Sequence, residues 1–177
     1  RRADGALAML VVADGISVAT AGRGDLASAL LVQVLSSKWE MHATRLRTAP
    51  GHEIHSFLDD ALATANKVVC EAALRMAGGD LGRHIPMGST AVVAMVRGTK
   101  VYIASLGDSR AWIVGSNGAA PLTGDENVRG AWLRACQRGQ ATTLHRDGHA
   151  LVGYVGHFNE DGDPAPLPPQ QGTEEML

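Results

Sequence analysis

Residues 89–123 constrain the fold more than any other part of the chain. Three apolar runs, "STAVVAMV", "VYIASL" and "RAWIV", follow one another with only the turn "RGTK" and the acidic "GDS" between them, and the turn "GSNG" leads to a short "APLT". β-branched residues at this density favour strands, and turns this short join strands in antiparallel order. The segment reads as an antiparallel meander. A buried strand from Ala6 to Ala13 follows the turn dipeptide Asp4-Gly5. A hairpin turn needs a strand before it, so the natural domain is expected to begin upstream of Arg1.

Two helical patterns separate that first strand from the meander. Leu26, Leu30 and Val34, with Ala27, Leu31 and Leu35 beside them, predict a helix from Leu26 to Met41 with Asp25 as its N-cap. "TAPG" breaks it. From Ile54 to Met76 apolar residues recur every three or four positions, which predicts a second helix over His52–Ala77 closed by Gly78-Gly79. A shorter amphipathic helix is predicted over Asp125–Arg138 with Val128, Trp132 and Leu133 inward, followed by loop and one strand at "ALVGYV". Helices grouped together and strands grouped together point to an α+β sandwich rather than to alternating βαβ units.

With 177 residues, 45% of them hydrophobic and 19% charged, the chain has the make-up of one globular domain. A net charge of −2 gives no basic field for nucleic acid or a membrane surface. Residues 159–177 differ, with five acids, no Lys or Arg and four of the seven prolines, and are expected to be extended. Cys70 and Cys136 form no C-x-x-C pair, so neither a disulfide framework nor a zinc knuckle is indicated, and a cytoplasmic setting is expected. The arginine-led start is expected to be a strand and not a signal peptide, because Asp4 and Asp14 bracket too short an apolar run. No run approaches the length of a membrane span.

Two acidic turns end apolar strands, "LVVADG" at Asp14-Gly15 and "IASLGD" at Asp108. Such a turn sets a carboxylate at a sheet rim, and the glycine lets its own carbonyl approach a ligand; hard cations take these oxygens. An ordinary turn is the plain alternative for each. Other candidates carry less. His52 and His55 on the second helix have no third ligand nearby, and His145 and His149 lie in a Gly-containing turn without helical geometry. "RGD" at 23–25 reads as a helix start, "AGRGD" lacks the Lys-Ser/Thr of a phosphate loop, and the two cysteines read as small core residues.

The order "MLVVADGISVATAG", a long helix pair, then "MGSTAVVAMVRGTKVYIASLGDSRAWIVGSNGAAPLTGDEN" resembles the bacterial-type, metal-dependent serine/threonine protein phosphatases of the 2C type. That family reads "VVADGMGG", "GTTAVVALV", "LYVANVGDSRAYLLRDG" and "QLTRDHS" in the same order. The resemblance implies a four-layer α-β-β-α domain, here incomplete, in which an antiparallel β-sandwich is flanked by long antiparallel helices. It implies two Mn2+ or Mg2+ ions at the rim, bridged by Asp14, with the Gly15 carbonyl as a further donor and Asp108 beside an auxiliary third ion. The activity implied is hydrolysis of phosphoserine and phosphothreonine in proteins by a metal-activated water.

Ser17-Val18 stands where the family has a Gly-Gly pair. The family's upstream arginine and Asn-Glu-Asp segment, and its two later metal aspartates, would fall outside these residues. Residues 1–177 alone are therefore expected to be inactive. Phosphorylated proteins are the implied partners, together with a cognate Ser/Thr kinase, and a monomer is expected. A non-catalytic regulatory module of the same fold is the alternative, and a plain interaction domain would leave Asp14 and Asp108 as turn residues.

Overall fold

The computed structural model describes residues 6–116, 118–140, 143 and 147–176. The Asp4-Gly5 turn and His145 lie outside them. In chain order the elements are β1 (Leu7–Val12), α1 (Gly24–Leu46), α2 (Gly51–Met76), β2 (Ala91–Arg97), β3 (Lys100–Leu106), β4 (Trp112–Gly115), β5 (Gly118–Pro121), α3 (Val128–Gln137) and β6 (Gln170–Glu175).

Period-two alternation decides which face of the main sheet carries the core. Leu7, Met9 and Val11 of β1 align through the antiparallel register with Arg97, Met95 and Val93 of β2, and Tyr102 and Ala104 of β3 align in turn with Met95 and Val93. The apolar members of this set form one cluster with Leu31, Leu35, Ile54, Leu58 and Leu62 of the helix pair. α1 and α2 thus cover one face: of the expected α1 stripe Ala27, Leu31 and Leu35 are buried and Leu26, Leu30 and Val34 half-buried against the core, and the α2 stripe is buried except for half-buried Val68 and exposed Met76. The strand order is β1-β2-β3-β6, antiparallel throughout.

The other face carries Leu10, Val12, Val92, Ala94, Val96, Val101 and Ile103, and it looks across a cavity of about 300 Å³ toward Trp112 and Ile113. Those belong to the second sheet, the antiparallel pair β4–β5. The predicted meander is corrected here. β2 and β3 form a hairpin, but β4 does not continue it, because the chain crosses to the second sheet between Leu106 and Trp112.

Helix limits also shift. α1 starts at Gly24 and runs to Leu46; Arg23, not Asp25, holds the N-cap position, and its guanidinium pairs with Asp25 in the first turn. α3 starts at Val128 with Asn127 as N-cap, whose Oδ1 accepts the Gly130 N–H at 2.8 Å. Leu133, expected inward, is 45% exposed. No strand forms at "ALVGYV", where Leu151 and Val155 make single bridges only. β6, written "QQGTEE", pairs along β3 as an edge strand.

Arg97 ties the helical corner to the sheet. From the end of β2 its guanidinium donates to the carbonyls of Leu46 and Ala49, satisfying groups at the end of α1 and in the turn to α2, and to the Tyr102 hydroxyl at 3.0 Å. It also lies 5.4 Å from the centroid of the Tyr102 ring. Arg97→Met keeps the stem and loses these bonds. The expected cost is about 2 kcal/mol, read as a lower urea midpoint with an unchanged slope.

Candidate functional site

The β1–β2 register, which pairs Val12 with Val92, runs on past the strand ends to a bridge between Gly15 and Ser89. Asp14 therefore stands opposite Thr90. The Thr90 N–H donates to the Asp14 carbonyl at 2.8 Å, and the Asp14 N–H donates to Thr90 Oγ1 at 3.1 Å. On the far side, the β2–β3 register pairs Ala91 with Leu106, which brings Gly107 beside Thr90. The Ser109 hydroxyl lies 2.7 Å from Thr90 Oγ1. One threonine hydroxyl thus joins the two acidic turns, and both turns lie on one rim.

Gly107 explains why β3 stops there. Its φ of +99° is the left-handed region that favours glycine, and a Cβ would lie 2.7 Å from Thr90 Cγ2. The chain turns away from the sheet without leaving the threonine. Gly15 answers a different constraint: a Cβ there would fall 2.0 Å from the Gly24 carbonyl oxygen, so the turn packs backbone to backbone on the first turn of α1.

Asp14 itself is exposed, and among the described residues no donor binds its carboxylate. Its backbone is held on both sides while its oxygens are left free. Gly15 and Ser89 are flanked by the bonds Thr90 N–H to Asp14 and Ile16 N–H to Gly88, the wide type of pair, so the Gly15 carbonyl is directed away from β2. Asp108 is less free, since its Oδ2 accepts from Asn127 Nδ2 at 3.2 Å.

The exit from β3 is braced by the entry to α3. Arg110 donates two bonds to the Asp125 carboxylate, both at 2.7 Å, and this partner holds the Asp125 carboxyl below its ordinary value and raises the arginine. Glu126 accepts the Gly107 N–H at 3.1 Å and returns its own N–H to the Gly107 carbonyl at 2.9 Å. Arg110 thus pairs with a carboxylate as the chain enters the second sheet, and Ser109 reaches across to Thr90. Thr90, Glu126 and Asn127 were not singled out in the sequence, where each reads as a strand or helix end.

Free carboxylate and carbonyl oxygens are the donors that Mn2+ and Mg2+ take. Asp14 and Gly15 suit such an ion. They do not amount to a cage, because among the described residues no group of three or more His, Cys, Asp or Glu is placed to hold a metal. His55 is occupied otherwise, with Nε2 2.8 Å from the Thr173 hydroxyl and its ring edge-on to Tyr102. Cys70 is buried as expected, whereas Cys136 is exposed on α3.

A family model described as Protein phosphatase 2C matches residues 12–129. The serine/threonine phosphatase stp of Listeria welshimeri is 35% identical over 127 residues, which cover 71% of this chain and 46% of that protein. The stp protein of Listeria monocytogenes serotype 4b is 32% identical over 129 residues with the same coverage. The chain thus spans about half the length of the curated relatives it matches. Among solved structures, the S. agalactiae serine/threonine phosphatase aligns with a TM-score of 0.72 at 23% identity, over 97% of this chain and 64% of that one. The catalytic domain of the serine threonine protein phosphatase PstP, in complex with 2 manganese ions, aligns at 0.65 and 20% identity, over 100% of this chain and 68% of that one.

Thr90→Val removes the hydroxyl shared by the two turns and strands the Asp14 N–H. The expected loss is about 1–3 kcal/mol by urea denaturation, with Thr90→Ser losing less. The Arg110–Asp125 brace has its own pH signature. A depressed carboxyl contributes stability that is present above its unfolded value near 3.8 and is lost as pH falls through the lower folded value. Acid titration of stability should show this limb in the wild type and a flatter one in Asp125→Asn.

Proposed function

This chain belongs to the protein phosphatase 2C family, and from that premise we propose that it forms part of a domain that hydrolyses phosphoserine and phosphothreonine in proteins with the help of Mn2+ or Mg2+. The observation that carries the reading is the Asp14 turn. Its backbone is fixed to Thr90 by two bonds while its carboxylate stays exposed and unpaired among the described residues.

In this proposal the Asp14 carboxylate and the Gly15 carbonyl would hold the divalent ions, and Asp108 would be a further ligand. Bound there, divalent cations would lower the pKa of a shared water and offset charge on the phosphoryl oxygens. The protein's part is to hold oxygens still. Thr90 fixes the Asp14 backbone, and the contact of Gly15 with Gly24 stops the turn from sliding. Asn127 orients Asp108 by binding one oxygen and leaving the other.

Phosphorylated proteins as substrates, a cognate kinase, a monomeric state and a cytoplasmic setting belong to the same proposal. Among the described residues no helix is long and apolar enough to cross a membrane. The alternative, a regulatory module of the same fold, is motivated by Ser17-Val18, which stands where the family has a Gly-Gly pair.

The test uses a protein that carries the complete domain. Manganese-dependent phosphate release from a phosphoserine peptide is expected, with Asp14→Asn lowering kcat by about a thousandfold, the scale of losing a principal electrostatic stabiliser, while its circular dichroism and melting are unchanged. Asp108→Asn should cost about tenfold. If Asp14→Asn keeps near-normal turnover, Asp14 is a turn residue and the metal-site reading is wrong; a wild-type domain without turnover selects the regulatory alternative.

A further inference from the structure

Asn66 sits in the apolar stripe of α2 at 1% exposure, where its neighbours Leu62, Val69 and Ala73 are buried hydrocarbon. A buried amide is costly unless its bonding capacity is filled. Here it is filled from one segment and one neighbour. Oδ1 accepts the N–H of Gly156 at 2.7 Å and of His157 at 2.8 Å, and Nδ2 donates to the His157 carbonyl at 3.1 Å and toward Cys70 Sγ at 3.7 Å. Two donors and two acceptor positions are all that an asparagine side chain has. The Cys70 thiol adds a bond to the same His157 carbonyl at 3.3 Å, and burial, which pushes it up to about 12, keeps it protonated as a donor.

The clamped segment leads straight to the rim. Val155, next to Gly156, exchanges both backbone bonds with Ser89, each at 2.9 Å. Ser89 is the residue opposite Gly15, and its hydroxyl lies 3.2 Å from the Asp14 carbonyl. A Cβ on Gly156 would fall 2.5 Å from the Met87 carbonyl oxygen, so this segment packs without a gap on the stretch that enters β2. Residues 87–90 are therefore held between the Asp14 turn on one side and the Asn66-bound segment on the other.

We propose that Asn66 is a positioning residue for the Asp14–Gly15 turn, acting through Val155 and Ser89. It touches neither substrate nor metal. It fixes the segment against which Ser89 pairs, and Ser89 and Thr90 in turn fix the carbonyl and N–H on either side of the free carboxylate. Its catalytic consequence rests on the reading of Asp14 as a metal ligand; its effect on the turn does not.

The test compares Asn66→Ala, Asn66→Asp and Leu58→Ala, the last a cavity in the same helix away from the relay. Amide hydrogen exchange on this chain, well below melting, is expected to be about tenfold faster in Asn66→Ala at Ile16, Ser89, Thr90 and Val155. Leu58→Ala should lower the melting temperature without singling out those amides. Asn66→Asp keeps the Oδ1 acceptor but sets a second oxygen against the His157 carbonyl in place of the donor, so the same four amides should again exchange faster than in Leu58→Ala, and it serves if the alanine variant does not fold. In the complete domain, the manganese concentration for half-maximal turnover should rise about tenfold in Asn66→Ala with KM for the phosphopeptide unchanged. Exchange at the four amides no faster than in Leu58→Ala overturns the proposal. So does faster exchange with an unchanged manganese requirement, which leaves Asn66 a clamp on the loop alone. If the wild-type domain shows no manganese-dependent turnover, the phosphatase reading fails separately and the exchange result alone decides whether Asn66 positions the turn.

Discussion

The register of β2 is the constraint on which the rest of the structure depends. Side chains on a strand alternate between faces, so a slip of one residue against β1 or β3 would send Val93 and Met95 away from the helices and turn Val92 and Ala94 toward them. The same register that buries the core also fixes the rim. With Val12 opposite Val92 and Leu106 opposite Ala91, Asp14, Thr90 and Gly107 fall in one row across three strands. Core packing and site geometry are two readings of a single alignment, and the hydrophobic effect, which is not directional, acquires direction through it.

Around that row, rigidity comes mainly from the backbone. Asp14 is held by a carbonyl and an N–H, Gly15 by contact with Gly24, and Gly107 by Glu126. Few side chains are consumed in this work. The two acidic side chains differ in consequence. Asp14 has no bonded partner among the described residues, while Asp108 is committed at one oxygen to Asn127. Asp108 therefore has one oxygen fewer to offer a ligand than Asp14.

Much of this was legible in the sequence because it rests on local periodicity. α2 declares itself through apolar spacing, and the hairpin β2–β3 through two β-branched runs and a glycine turn. The acidic turns were visible as strand ends. What was not legible depends on partners far along the chain. Asn66 reads as a polar interruption of a stripe until Gly156 and His157, some ninety positions on, are brought to it. Thr90 reads as the start of a strand until Asp14 and Ser109 arrive from either side. β6 escaped for another reason: an edge strand with mostly exposed residues needs no apolar alternation, so "QQGTEE" carries none. The change of sheet after Leu106 is likewise a matter of where the chain goes, not of which residues favour strands.

The long detour between β1 and β2 sets an order of events when the chain folds. α1 and α2 are joined by a short turn, as are β2 and β3, so each pair can form with little loop to close. Pairing Asp14 with Thr90 closes a loop of 76 positions around both helices, and longer loops cost more chain entropy and form later. β1, and with it the rim, is thus the last strand this sheet takes up, since its pairs with β2 span more of the chain than those of β3 with β6. Partly folded chains would have most of the helical core and none of the paired turns, so they would have no fixed oxygens to offer a divalent ion. Any affinity for such an ion would then be a property of the finished fold, and binding would draw the closing step forward without speeding the earlier ones.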